Sequence, residues 1–283
     1  MARRHIQSDA TSRLAIWSRR MAGFAFLASF LAVIIVRSGL LEIRPALATF
    51  AGALAIAVVA LLLALAAFVV IWTEGLAGMG AALTAMAISL ALLAYPAYFG
   101  LKAYRLPWIY DITTDPIDPP RYEALARLRV RDANPTTYAG LYAAEQQRTA
   151  YPDVGPLGTN ATAQAAYDAA LAVVNKRRWR IVEARAPQAG RREGRIEAVA
   201  RTPIMGFRDD VVIRVRAETD GARIDARSSS RYGSFDFGTN AARVRGLMND
   251  IEDAIRAQKP ERPPATQQPA KKSAPGKKDQ PKR

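Results

Sequence analysis

Asp209-Asp-Val-Val-Ile-Arg-Val-Arg-Ala-Glu-Thr-Asp-Gly-Ala-Arg-Ile-Asp-Ala-Arg-Ser-Ser-Ser230 is the stretch that decides the fold of the C-terminal half of this chain. Apolar and charged residues alternate along both arms, the period of an extended strand with one face buried. Asp220-Gly221 between the arms is a dipeptide that tight hairpin turns favour. Strands are therefore predicted over 209–218 and 222–231, and toward the N-terminus the same alternation predicts two more, over 179–186 and 194–201. A helix capped by Thr159 or Asn160 and running to about Lys176 shows Ala163, Ala166, Tyr167, Ala170, Leu171 and Val174 on one side. A final helix capped by Thr239 or Asn240 carries Ala241, Val244, Leu247, Met248, Ile251, Ala254 and Ile255 as its apolar stripe. Short connections favour an antiparallel meander of about four strands with both main helices on one face, an α+β domain.

Strand alternation assigns the faces. Ile196, Ala198, Ala200, Val211, Ile213, Val215, Ala217, Ile224, Ala226 and Ser228 point toward the helices. Arg195, Glu197, Asp210, Arg214, Arg216, Arg223, Asp225, Arg227 and Arg231 fall on the opposite face, where interleaved charges describe a solvated surface. The functional alternative is an arginine-lined surface for an anion, with Arg214, Arg216, Arg227, Arg231 and Arg243 as its candidates.

Upstream of the strands the character changes. Residues 106–120 hold four prolines in fifteen positions, which enforces extended or turned backbone. A short helix is predicted over 121–128, and 132–158 reads as irregular, with a helical turn or two within 138–148.

Further upstream the chain turns apolar. Between Met21 and Leu101 the only charged residues are Arg37, Glu42, Arg44 and Glu74, a composition that belongs to membrane-spanning helices. Spans are expected at 21–36, 46–72 and 76–101, the last two separated by Thr73-Glu74-Gly75 and so forced into a helical hairpin. Small residues at Gly78 and Ala82, and at Ala81, Ala85 and Ser89, allow close helix approach, although alanine also simply fills lipid-facing helices. Pro96 is a candidate kink, and Tyr95, Tyr98 and Tyr104 form an interfacial aromatic belt. Ala46-Leu47-Ala48 resembles a leader-cleavage site but lies beyond Arg37, Glu42 and Arg44, so the first helix is expected to stay as an anchor.

The chain thus divides into a basic N-terminus (1–20), a three-helix membrane segment (21–101), a soluble α+β domain (102–258) and a Lys/Pro-rich tail (259–283) that buries no core and is expected to be disordered. The net charge of +15 is spread as +4, 0, +5 and +6 over these parts, so the folded domain carries no strong nucleic-acid footprint. Arginines 3, 4, 13, 19 and 20 hold the N-terminus in the cytoplasm, and three crossings then put the domain on the outer side of a plasma membrane.

With no cysteine and only His5, thiolate or imidazole metal sites, cysteine nucleophiles, disulfides and Ser-His-Asp triads are excluded from the domain. No cofactor is expected. Asp111, Asp115 and Asp118 in the Pro-rich loop, and Asp209-Asp210 at a strand start, are the carboxylates that could serve a divalent cation or acid–base hydrolysis. The first three lack the Gly and closing Glu of an EF-hand, and Asp209 and Asp210 face opposite ways, so turn and strand roles compete with the chemical one. Residues 228–240 join a strand to a helix with Gly, Ser, Thr and Arg at the junction, an anion-holding composition that fits no nucleotide motif.

Asp111-Ile-Thr-Thr-Asp-Pro with Pro119-Pro120, Tyr151-Pro152-Asp153, Gly194-Arg-Ile-Glu-Ala198, Gly206-Phe-Arg-Asp-Asp-Val211, and Arg227-Ser-Ser-Ser-Arg-Tyr-Gly233 followed by Asp236-Phe-Gly-Thr-Asn-Ala-Ala-Arg243 together resemble the bacterial domain-of-unknown-function family 1499. The resemblance covers about 106–256 and implies a fold and a bacterial origin, with no reaction attached. The expected function is that of a membrane-anchored envelope binding or scaffolding protein, with no residue assigned a catalytic role. A carboxylate-dependent, divalent-cation hydrolase and an anionic-lipid binder are the alternatives. The expected partners are the lipid bilayer and, through the basic tail, anionic lipid or an envelope polymer; nucleic acid is not expected, and the oligomeric state is left open.

Overall fold

The computed structural model describes residues 10–39, 43–188 and 193–258. The tail at 259–283 and the first nine residues lie outside that range, so the expectation of a disordered tail lies outside the described residues. Three long helices open the chain: α1 (Arg13–Ser38), α2 (Ile43–Glu74) and α3 (Met79–Ala103), all long and apolar enough to cross a membrane. Helix α1 starts eight residues before the predicted span. Its packing stripe already begins at Ala15 and Ser18, which leaves Arg13, Arg19 and Arg20 on the exposed side.

The helices are packed inside out. Buried positions are small: Ala15, Ser18, Ala22, Ala25, Ser29 and Ala32 on α1 recur at intervals of three and four, and Ala53, Ala57, Ala60, Ala64 and Ala67 do so on α2. Ala82, Ala85 and Ser89 complete the contact from α3. Large apolar side chains such as Phe24, Phe30, Leu31, Leu62 and Val69 point outward. Alanine here brings backbones together at the buried positions and also occupies outer ones such as Ala51, Ala55, Ala66 and Ala87. Gly75 (φ 68°) and Gly78 (φ 125°) make the tight link from α2 to α3, and residues 10–12 clip to it, Ser12 N–H donating to Ala77 O at 2.9 Å. Helix α3 runs through Pro96 without interruption.

The domain that follows contains β1 (Asp111–Thr113), α4 (Ala124–Leu128), α5 (Leu141–Ala150), β2 (Leu157–Thr159), α6 (Ala163–Lys176), β3 (Arg180–Arg185), β4 (Glu193–Arg201), β5 (Arg208–Glu218), β6 (Gly221–Ser230) and α7 (Thr239–Ala257). The sheet order is β1-β6-β5-β4-β3, all antiparallel, with β2 also paired to β6. The four predicted strands are present at the predicted places. Strands β1 and β2 are additional: each has three residues in a segment rich in Pro or Gly, too short for alternation to register, and both pair with the free edge of β6. Helix α5 is longer than the turn or two expected, and α4 starts at Ala124 rather than 121.

Ile196, Ala198, Ala200, Val211, Ile213, Val215, Ile224 and Ala226 form the core with Ala166, Tyr167, Ala170 and Val174 of α6 and Ala241, Val244, Leu247 and Ile251 of α7. Ala217, expected with them, is exposed, whereas its cross-strand partner Ala222 is buried in the core. The caps also differ from expectation. Thr162 caps α6, its Oγ1 accepting from Ala165 N–H at 3.2 Å, since Thr159 belongs to β2. The Asp236 carboxylate serves the start of α7, accepting from Gly238 and Asn240 N–H groups at 2.8 Å each, while the Asn240 side chain is turned to the sheet.

The charged face of the sheet is the main correction: it is not solvated. Glu197, Asp210 and Asp225 are fully buried and Arg227 nearly so. The strap of residues 114–138 lies over them. Arg227 Nη1 and Nη2 donate to Pro120 O and Thr136 O, Tyr122 Oη donates to Asp210 O, and Tyr122 and Leu125 pack on Val199 and Val212. Alternating charges look the same whether water or a complementary strap covers them, and here the strap brings Asp115 and Asp118 to the sheet arginines.

The helices and the domain are stitched together at two places. Arg37 at the end of α1 donates from Nη1 to Pro203 O at 2.6 Å and Ile204 O at 2.9 Å in the β4–β5 turn, and Arg201 Nη1 donates back to Arg37 O at 3.0 Å. Near the end of α3, Phe99 meets Phe237 edge-on at 5.3 Å, continuing into Phe235 and Trp108.

Candidate functional site

The strap and sheet carry two ionic clusters. At one end Asp115 and Asp118 of the strap and Asp225 of β6 face Arg214, Arg216 and Arg223. Arg214 Nη1 lies 2.9 Å from Asp118 Oδ2, Arg214 Nη2 3.1 Å from Asp225 Oδ2, and Arg223 Nη2 2.9 Å from Asp115 Oδ2. At the other end Asp111 holds Arg227 with two hydrogen bonds, and Asp210 holds both Arg129 (2.7 Å) and Arg231 (2.7 Å). The Arg227 guanidinium lies 4.6 Å from the Tyr122 ring centroid and 5.5 Å from that of Tyr138. Burial pushes the Asp111 carboxyl above its ordinary value against the pull of Arg227 and Arg129. Burial also raises the Tyr122 hydroxyl well above its usual range and Tyr138 to about 12.

Every candidate residue from the sequence is therefore placed. Asp209 turns to the helix side, where its Oδ2 meets Arg243 Nη2 at 2.5 Å, and Asp210 turns to the strap side, as alternation requires. Arg243 also donates to Ser228 Oγ at 3.0 Å, which ties the junction of residues 228–240 to itself rather than to a ligand. Arg214, Arg216, Arg227, Arg231 and Arg243 are each paired with a carboxylate, so the face they line is not an open anion surface. Among the described residues no group of three or more His, Cys, Asp or Glu side chains is arranged to hold a metal ion. Asp111, Asp115 and Asp210 are thus not gathered round one cation but distributed among separate arginines.

Two cavities are present at the surface. The smaller, about 250 Å³, is lined by Glu123, Arg185, Glu193 and Arg195, whose charges pair with one another. The larger, about 540 Å³, lies where the α1–α2 turn meets the domain. One wall is Val36, Gly39, Ile43 and Arg44; the other comes from residues 128–132, from Gly206 and Arg208, and from Arg231 and Tyr232. Of this set the sequence offered only Arg231 as a candidate anion-binding residue. Arg44, Arg131 and Arg208 lie far apart along the chain, each in an unremarkable local context, and only the docking of the helices on the domain brings them together.

Comparison with known proteins agrees with the motifs quoted from the sequence. Residues 111–251, from β1 into α7, match the family described as Protein of unknown function (DUF1499). A comparison with curated proteins gave no match.

Proposed function

We infer that this chain, whose C-terminal domain belongs to the DUF1499 family of unknown function, is a membrane-anchored protein that presents that domain at the bilayer surface as a binding or scaffolding module of the bacterial envelope. The observation that carries the reading is the inside-out packing of α1 to α3: alanine and serine face inward while Phe, Leu and Val face outward. In water such a bundle exposes a continuous apolar surface; in a bilayer the same surface is solvated by lipid tails. At 1.5 Å per residue, α1 and α3 are about 38 Å long, enough for the ~30 Å hydrocarbon core with some tilt.

The scaffolding role draws support from the domain's charges. Arg129 with Asp210, Arg214 with Asp118 and Arg223 with Asp115 hold the strap to the sheet, an arrangement that builds a rigid body on a short stalk. The proposed topology puts the N-terminus in the cytoplasm of a plasma membrane, with Arg13, Arg19 and Arg20 near the start of α1, and the domain and basic tail on the outer side, where the tail meets anionic lipid or envelope polymer.

Alkaline carbonate washing of cell membranes, followed by protease treatment of intact spheroplasts carrying a C-terminal epitope, tests the reading. The protein is expected to stay in the membrane pellet and to lose its epitope without lysis. Release by carbonate refutes the anchor; protection until lysis inverts the topology.

A further inference from the structure

The 540 Å³ cavity between the facing ends of α1 and α2 and the domain is rich in arginine. Among the described residues four arginines, Arg44, Arg131, Arg208 and Arg231, line it with one carboxylate, Asp132. Arg231 is held by Asp210, whereas Arg44, Arg131 and Arg208 have no carboxylate partner among the described residues. By contrast Arg214, Arg216, Arg223 and Arg227, on the covered face of the sheet, are each matched by a carboxylate. Arg208 is only partly exposed, and burial together with Arg201, Arg231 and Arg180 lowers its pKa from the ordinary value. A guanidinium pressed in among others of its own charge is stabilised by an anion in their midst.

The backbone is shaped to admit that guanidinium. Gly39 takes up the left-handed conformation (φ 67°) that ends α1, and a Cβ at that position would collide with Arg208 Nη2. The guanidinium thus lies directly against the helix terminus. Beside the charges are apolar side chains: Ile43 and Val36 on the helices, and Leu128 (46% exposed) and Val130 (57% exposed) on the domain. A cavity lined by both arginines and aliphatic groups, located where α1 ends and α2 begins, matches a phosphate that carries alkyl chains.

We propose that this cavity is a binding site for a phosphate-bearing anion, with an anionic phospholipid headgroup as the occupant when the helices lie in a bilayer. Arg44, Arg131 and Arg208 contact the phosphate oxygens, and Val36, Ile43, Leu128 and Val130 meet the first carbons of the chains. The lipid half of this proposal rests on the membrane reading above; the phosphate half does not. A bound lipid would lie between the stalk and the domain and fix the angle between them.

The test uses the full chain. In nanodiscs of phosphatidylglycerol or phosphatidylcholine, and separately in detergent with inorganic phosphate, thermal midpoints and retained lipid per protein are compared for the native chain, Arg208→Gln and Arg131→Gln. Arg131 is exposed, so its replacement leaves the fold intact even if that of Arg208 does not. Expected is preferential retention of phosphatidylglycerol, weakened about tenfold, ~1.4 kcal/mol, by either substitution. Stabilisation by inorganic phosphate alone, lost in the same variants, supports the anion site with a soluble source. Equal retention of both lipids with no phosphate effect, or unchanged binding in both variants, overturns the proposal. Carbonate release of the native chain marks failure of the membrane reading instead, and the phosphate arm then still decides the site.

Discussion

Arg227 and Asp111 face each other across the β6–β1 pairing, Nε to Oδ1 at 2.9 Å and Nη2 to Oδ2 at 2.6 Å, with 2% of either side chain exposed. Such a pair holds position more than it adds stability, because desolvation offsets most of the Coulomb gain. Its cost appears when one partner is removed.

Asp111→Ala is therefore expected to destabilise the domain by about 3–5 kcal/mol, leaving a guanidinium buried between Tyr122 and Tyr138. The double change Asp111→Leu with Arg227→Met is expected to recover most of that loss. Urea midpoints of the detergent-solubilised chain, followed by tryptophan fluorescence, compare the two; equal losses in single and double variants would show that the pair is not what the fold responds to.

The stitch at Arg37 is expected to be local. Arg37→Ala removes the hydrogen bonds to Pro203 and Ile204 and empties the space beside Gly206, whose φ of 71° brings it within 2.8 Å of Arg37 Cγ as measured from a built Cβ. Hydrogen exchange at the amides of Thr202 and Gly206, which close the β4–β5 turn, is expected to speed up about tenfold, the weight of ~1.4 kcal/mol. The amides of β5 and β6 are expected to stay protected. Uniform acceleration across the sheet would contradict this.

High pH offers a third test. Burial raises Tyr138 and Tyr151 to about 12 and Tyr122 well above its usual value, so the folded state keeps these protons where an unfolded chain, with tyrosine pKa near ~10, loses them. Between these values the native state binds more protons than the unfolded one, and stability falls as pH rises. Urea midpoints are expected to hold level below about pH 10 and drop between about 10 and 12. The Tyr138 hydroxyl has no hydrogen-bond partner, so Tyr138→Phe is expected to change neutral-pH stability by less than about 1 kcal/mol while flattening that drop. An unchanged slope would mean that Tyr138 ionises freely in the folded protein.

The elements with long, uniform periods were legible from the residues alone. Strands β3 to β6, α6, α7, α2 and α3 stand within a few residues of where alternation and composition put them, and α1 extends its expected span by eight residues at the start, because each buries a face of many residues. What escaped was non-local. Nothing in Asp115-Pro-Ile-Asp118 announces that Arg214, about a hundred residues later, will face it, and so a covered face read as a solvated one. Asp236 displaced Thr239 and Asn240 as the cap of α7 because Asn240 has a competing engagement with Tyr110 O and Ser230 Oγ. The grouping of Arg44, Arg131 and Arg208 with Arg231 was invisible for the same reason, since four chain segments converge there.

The strap's position in the chain sets an order of events during synthesis. Residues 114–138 emerge well before Arg214 and Arg223, the partners of their aspartates, and β1, whose Asp111 pairs with Arg227, has no edge to pair with until β6 exists. The domain is thus a structure closed from its far end: its N-terminal third must wait, charged and hydrated, for the last hairpin. If that third is threaded through a translocation machine ahead of β5 and β6, it crosses unfolded by construction, and the side of the membrane on which the final hairpin appears is the side on which the whole domain assembles.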